Sequence, residues 1–391
     1  MPRWFWRFVL VVWLVSSSML VVPTAAQALP AISACQQGVQ PGGALWQICL
    51  PEQDWNGDLV IFAPGYTVFS APLDLPGLTL PDGTSVPEVL LQRGFAFATT
   101  SYRANGLVVV EGMADIQELA ALFPMIVGQA PTRTYLVGVS QGGLITTLLI
   151  EQSPELFSGG LALCAPIGDF KRQIDYWGDF RVLFDYFFPG VLPDSPVAIP
   201  FSVMDSWESV YVPQIEQALA AHPQAAQELM ITARAMVDPS MPAMHITATL
   251  NVLWYNVFAT NDANARLGGN PYGNRNRWYL GSRNDQMLNR QIARFDADPQ
   301  ALAALGAYET SGNLTLPLVT LHTLGDDVVR FDQALRYQRK VVATGQRTYL
   351  DTLPIVRYGH CNFTQTELLA AFRLLLLRVS GDLVEEVPLL L

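Results

Sequence analysis

From about residue 58 to residue 164 the chain alternates short apolar runs with segments of helical periodicity. Asp58–Ala63 is a compact apolar run stopped by Pro64-Gly65, which reads as a buried strand followed by a turn. Residues 95–102 form a second such run after Arg93-Gly94, residues 134–138 a third and residues 160–164 a fourth. Between the second and third, Met113, Ile116, Leu119, Ala120 and Phe123 share one helical face, and Pro124 is expected to end or kink that helix. Residues 142–151 read as the helix after the third strand. Strands that alternate with helices predict a parallel sheet covered on both faces.

The alternation stops near Asp169. As far as about Asn313 the pattern is helical or irregular, aromatic at its start and rich in Gly, Asn and Arg towards its end. It resumes with a strand at 316–322, a helix at 331–342, a strand at 349–357 and a helix at 367–379. The expected fold is therefore α/β, one mostly parallel sheet with helices on both faces. Its core is split into 29–168 and 313–391 by a large, mainly helical cap insertion at 169–312. No internal repeat is present.

Half of the residues are hydrophobic and 15% are charged, a composition that fills a large core and excludes a disordered chain. At the N-terminus, Arg3 and Arg7 precede an apolar run at 8–22, and Thr24-Ala25-Ala26-Gln27-Ala28 offers an A-x-A cleavage site. Residues 1–28 are read as a signal peptide, and the protein as secreted, either extracellular or periplasmic. Losing the two leader arginines takes the net charge from −11 to −13. So acidic a chain repels phosphate backbones and anionic membrane faces, which argues against nucleic-acid partners. No later segment is long and apolar enough to span a bilayer, so no stable membrane insertion is expected once the leader is gone.

Four cysteines in an exported chain allow two disulfides in any of three connectivities. Cys35 and Cys49 are close enough to clip the mature N-terminus, which leaves Cys164 and Cys361 as the second pair. The four histidines show no metal-ligand spacing, so neither a metal nor another cofactor is expected.

Gly138-Val139-Ser140-Gln141-Gly142 matches G-x-S-x-G, with an apolar strand running into Ser140 and a helix leaving from Gly142. A nucleophile elbow needs that strand-to-helix turn, because it holds the serine hydroxyl above the sheet in a strained backbone. A serine hydroxyl also needs a base and an orienting acid. Tyr358-Gly359-His360 follows the last strand, and Leu324-Gly325-Asp326-Asp327-Val328-Val329 follows the strand before it. All three candidates, Ser140, Asp326 and His360, fall where strands end, the edge at which open α/β sheets carry their sites. His322 lies inside an apolar strand and His222 and His245 lie in the insertion, so these three are read as structural.

These residues resemble the α/β-hydrolase superfamily, in particular its secreted esterase-like and peptidase-like members. In that family the acid is commonly followed three positions later by Val, a pattern that Asp326 meets with Val329, while Asp327 beside it stays a competitor. The family's oxyanion loop usually reads His-Gly-x, and Pro64-Gly65-Tyr66 keeps only the Gly. The resemblance implies that the backbone N–H groups of Tyr66 and Gln141 form the oxyanion hole. It covers 45–166 and 316–379.

The function these features imply is hydrolysis of small or polymeric carboxylic esters through an acyl-enzyme. A histidine base would give an acidic limb in the pH–rate profile near roughly pH 6 to 7. Rival readings are a serine aminopeptidase or oligopeptidase, for which Asp169, Asp175, Asp179 and Asp185 would have to bind a free amine, and a polyester depolymerase. A non-catalytic binding protein on the same scaffold is the alternative of another class. Tyr176, Trp177, Phe180, Phe184, Tyr186, Phe187 and Phe188 are read mainly as the core of the cap. Arg275 and Arg277 are expected to face water.

Overall fold

In the computed structural model the described residues are 35–80, 83–238 and 240–381, and the expected signal peptide at 1–28 lies outside them. The predicted strands are all present: β3 (Asp58–Ala63), β4 (Ala96–Thr100), β5 (Arg133–Val139), β6 (Gly159–Leu163), β7 (Leu318–Gly325) and β8 (Leu350–Tyr358). Two more precede them, β1 (Cys35–Val39) and β2 (Leu45–Cys49). The sheet runs β1-β2-β4-β3-β5-β6-β7-β8. β1, β2 and β4 pair antiparallel, and every later pairing is parallel. The parallel strands are apolar along nearly their whole length because helices cover both faces.

Those covering helices are α1 (Val86–Leu91), α2 (Val109–Val127), α3 (Gln141–Gln152), α11 (Asp332–Ala343) and α12 (Gln365–Ser380), while α4 to α10 belong to the insertion. One buried cluster joins α2 and α3 to the sheet through Ile116, Leu119, Phe123, Leu144, Ile145 and Leu148. The other joins α1 and α12 to the opposite face through Leu90, Leu91, Phe372 and Leu375. Pro124 does not end its helix as expected, for α2 continues to Val127 and stops at Gly128 in the left-handed conformation. A proline there removes one backbone hydrogen bond from a helix otherwise held by its buried face.

Between β6 and β7 the chain is helical, as expected: α4 (Phe170–Phe187), α5 (Phe201–Asp205), α6 (Val212–Ala221), α7 (Pro223–Ala233), α8 (Ala243–Leu267), α9 (Asp285–Gln291) and α10 (Pro299–Ala304). Tyr176, Phe180, Phe184 and Phe188 are buried in its core. No helix among the described residues is long and apolar enough to cross a membrane.

Candidate active site

β5 turns into α3 through a single residue, Ser140, whose backbone is at φ 53° and ψ −118°. Few non-glycine residues sit there without strain, and a tight turn that stores strain raises its side chain clear of the sheet. The flanking glycines make the turn possible. A Cβ on Gly142 would lie 2.0 Å from the Ala63 carbonyl oxygen, and one on Gly138 would lie 2.1 Å from that of Gly142. The Ser140 N–H donates to the Leu163 carbonyl at 2.8 Å, which fastens the turn to the end of β6.

His360 leaves the end of β8 and Asp326 the end of β7. His360 Nε2 lies 3.0 Å from Ser140 Oγ, and its Nδ1 lies 2.8 Å from Asp326 Oδ2. Asp326 is fully buried, and its Oδ1 accepts the N–H groups of Val328 and Val329 at 3.0 and 2.8 Å. Burial alone would raise the Asp326 pKa, but the charge and hydrogen bonds of His360 and His322 outweigh it and hold the carboxyl well below its usual range. Burial likewise pushes His360 down, and the Asp326 carboxylate more than reverses this, so the net shift is upward.

The two adjacent carboxylates are thus separated by geometry. Asp327 is not hydrogen-bonded to the imidazole: its Oδ2 accepts from Asn251 Nδ2 at 2.7 Å, and its Oδ1 has no hydrogen-bond partner among the described residues. Burial raises its pKa, opposite in sign to its neighbour. His322, read as a structural strand histidine, is buried beneath the acid. Its Nε2 lies 2.7 Å from the Val329 carbonyl and 3.4 Å from Asp326 Oδ2, so it braces the acid loop. Its position four residues before Asp326 was the available signal.

Both expected disulfides form, Cys35–Cys49 and Cys164–Cys361. The second joins the end of β6 to the residue after His360, and Cys361 Sγ lies 3.4 Å from His360 Nε2. These sulfurs sit within ligand distance of the imidazole, but as a disulfide they offer no thiolate to a metal. The bond closes a loop of 197 residues between its ends, so on the chain-entropy estimate it stabilises by about 5 kcal/mol. A Cys164→Ser/Cys361→Ser variant is expected to melt well below the wild type and to lose activity through a loosened His360. Thermal unfolding and ester turnover of the oxidised proteins check both.

Tyr66, Ser140 and Gln141 line one cavity, together with Ile174, Trp177 and Tyr255 from the insertion. Gln141 is the first residue of α3, where a backbone N–H has no intrahelical acceptor. Tyr66 reaches upward, its hydroxyl donating to the Phe258 carbonyl at 2.8 Å. The cavity holds about 60 Å³ of free space and its walls are mostly apolar.

The acidic residues of the insertion are occupied elsewhere. Asp175 and Asp179 both pair with Arg277, Asp175 also with Lys171, Asp185 with Arg181 and Asp169 with Arg172. Tyr272 and Tyr279 donate further hydrogen bonds to Asp179 at 3.0 and 2.6 Å. Arg277, expected to face water, is thereby held in an ion-pair network, while Arg275 pairs with Asp296 at the surface.

The strand order and the elbow after β5 define an α/β-hydrolase fold. No protein-family model matches the chain, and no curated protein matches it. Among solved structures it is similar to Candida antarctica lipase A in its closed state (13% identity over 90% of this chain and 82% of that one, TM-score 0.47). It is also similar to feruloyl esterase B from Aspergillus oryzae (12% identity, 89% and 80%, TM-score 0.47). A third is the Pyrococcus horikoshii acylaminoacyl peptidase (14% identity, 84% and 38%, TM-score 0.42), of whose length this chain spans less than two fifths. Likenesses this distant say nothing about the reaction.

Proposed function

We propose that the protein is an exported serine hydrolase that cleaves carboxylic esters. The observation that carries this reading is the unbroken hydrogen-bonded chain Ser140–His360–Asp326 at the carboxyl edge of the sheet. His360 takes the Ser140 proton as Oγ attacks the carbonyl carbon, and Asp326 fixes the tautomer and stabilises the imidazolium. The backbone N–H groups of Tyr66 and Gln141 donate to the oxyanion. His360 then protonates the leaving alkoxide, and water attacks the acyl-enzyme by the reverse sequence of proton transfers. Two disulfides and the leader-like N-terminus support work in an oxidising, extracytoplasmic compartment.

The ion pairs within the insertion favour esters over peptides with a free amino terminus. Asp169, Asp175, Asp179 and Asp185 are each paired with an arginine, and none lines the cavity at Ser140. A panel of p-nitrophenyl esters against aminoacyl p-nitroanilides tests this. Ester cleavage with no anilide cleavage is expected, and the reverse would make the enzyme a peptidase.

The size of the cavity sets the acyl preference. About 60 Å³ is far below the roughly 300–1,000 Å³ of pockets that take drug-sized ligands. The insertion is also fastened over it. Tyr176 Oη donates to the Asp327 carbonyl at 2.6 Å, and Gln173 and Trp177 donate to that of Val328 at 2.8 and 3.1 Å. Acetyl and butyryl esters are therefore expected to give higher kcat/KM than palmitoyl esters. A preference for long chains would mean that the insertion opens freely.

A further inference from the structure

Helix α8 carries one face across the whole site. Asn251, Tyr255, Phe258 and Asp262 are spaced at four, three and four residues, which stacks them along one side of a helix. Asn251 holds Asp327, the Phe258 carbonyl receives the Tyr66 hydroxyl, and Asp262 Oδ2 accepts the Leu107 N–H at 2.6 Å. The fourth member, Tyr255, lines the cavity at Ser140 with its hydroxyl towards that side chain, and its ring meets His360 edge-on.

The Tyr255 ring is fixed on several sides. Trp177 stacks on it with centroids 4.9 Å apart and planes 13° apart, and the same Trp177 donates to the acid loop. Trp254 and His360 meet it edge-on at 5.0 and 6.5 Å, and Tyr66 lies at 6.0 Å. A phenol held this way loses little further freedom when it donates, which is the condition for preorganised stabilisation.

We propose that Tyr255 is a catalytic residue, the third donor to the oxyanion, supplied by the insertion and not by the sheet. The proposal rests on the ester-hydrolase reading and extends it. In the free enzyme Ser140 Oγ donates its proton towards His360 Nε2. Once Oγ bonds to the carbonyl carbon, the former carbonyl oxygen on that same carbon gains a full negative charge. The phenol then donates to the new charge. Its proton stays on the phenol throughout, since burial pushes the Tyr255 hydroxyl up to about 12 and keeps it a donor at any working pH.

Tyr255→Phe removes one oxygen and keeps the ring stack. Steady-state hydrolysis of p-nitrophenyl butyrate by this variant is expected to show kcat reduced by about 10–100-fold with KM little changed, since the bond exists only in the transition state. Unchanged kcat in a variant that melts like the wild type would overturn the proposal, as would a raised KM at constant kcat, the mark of a mere pocket wall. A structure of the wild type phosphonylated by a p-nitrophenyl phosphonate gives an independent reading that needs no variant. The Tyr255 hydroxyl is expected within hydrogen-bonding distance of the phosphonyl oxygen, and a hydroxyl turned away from it would contradict the role. Ser140→Ala, assayed in parallel, keeps the two levels apart. Full activity there sinks the hydrolase reading itself, whereas an inactive Ser140→Ala beside a fully active Tyr255→Phe sinks only the role of Tyr255.

Discussion

Ser140→Ala is expected to lower kcat for an activated ester by roughly 10⁶-fold while leaving the fold intact. The size of the loss follows from what the residue does. Without Oγ no acyl-enzyme forms, and the proton relay through His360 has nothing to activate. The oxyanion donors and the binding cavity remain, so a residual acceleration of roughly 10³–10⁴ over the uncatalysed reaction should persist. The substitution replaces a serine at φ 53° with another residue that must hold the same strained turn, so stability should change little. Ester turnover and thermal unfolding of one preparation check both statements. A variant with full activity would show that another group attacks.

The second large effect separates the adjacent carboxylates. Asp326→Asn is expected to cut kcat by about 10⁴-fold, because an amide does not hold the His360 tautomer or stabilise the imidazolium. Asp327→Asn should keep most of the activity, since that side chain is hydrogen-bonded to Asn251 and not to the imidazole. The pH profile carries the same distinction. Catalysis needs neutral His360, so activity is lost as pH falls through its pKa. The Asp326 charge outweighs burial and raises that pKa, which places the acidic limb above the ordinary value of 6.5. In Asp326→Asn the larger raising charge and its hydrogen bond are gone while the burial and the smaller effect of Asp327 remain, so the limb should move to lower pH. Equal losses in the two variants, or a limb that stays in place in Asp326→Asn, would assign the acid wrongly.

The parts of the molecule that announced themselves in sequence were those whose physics is local. Apolar runs ended by Gly or Pro marked the parallel strands, and Gly138 and Gly142 marked a turn too tight for side chains. β1 went unread because Cys35-Gln-Gln-Gly-Val39 is polar and lies at the sheet edge, where burial does not impose an apolar pattern; β2, next to it, is only five residues long and carries Gln47 in its middle. Pro124 did not end its helix because a buried face held α2 together past it. The insertion's contributions were the least legible. Tyr255 and Asn251 sit on a helix whose direction across the sheet depends on packing between distant segments, so no spacing within the helix marked them as neighbours of Ser140 and Asp327. The doublet Asp326-Asp327 illustrates the same limit: two identical side chains side by side differ only in what the fold brings to each.

The central claim is that the Ser140 hydroxyl is activated by His360 for attack on an acyl carbon. Peptide mapping after treatment with a fluorophosphonate tests it most directly, because only an activated nucleophile takes the phosphonyl group. The account predicts a single adduct on the peptide carrying Ser140, formed more slowly at low pH as His360 gains a proton. An unlabelled chain at neutral pH, or an adduct on another residue, would contradict it.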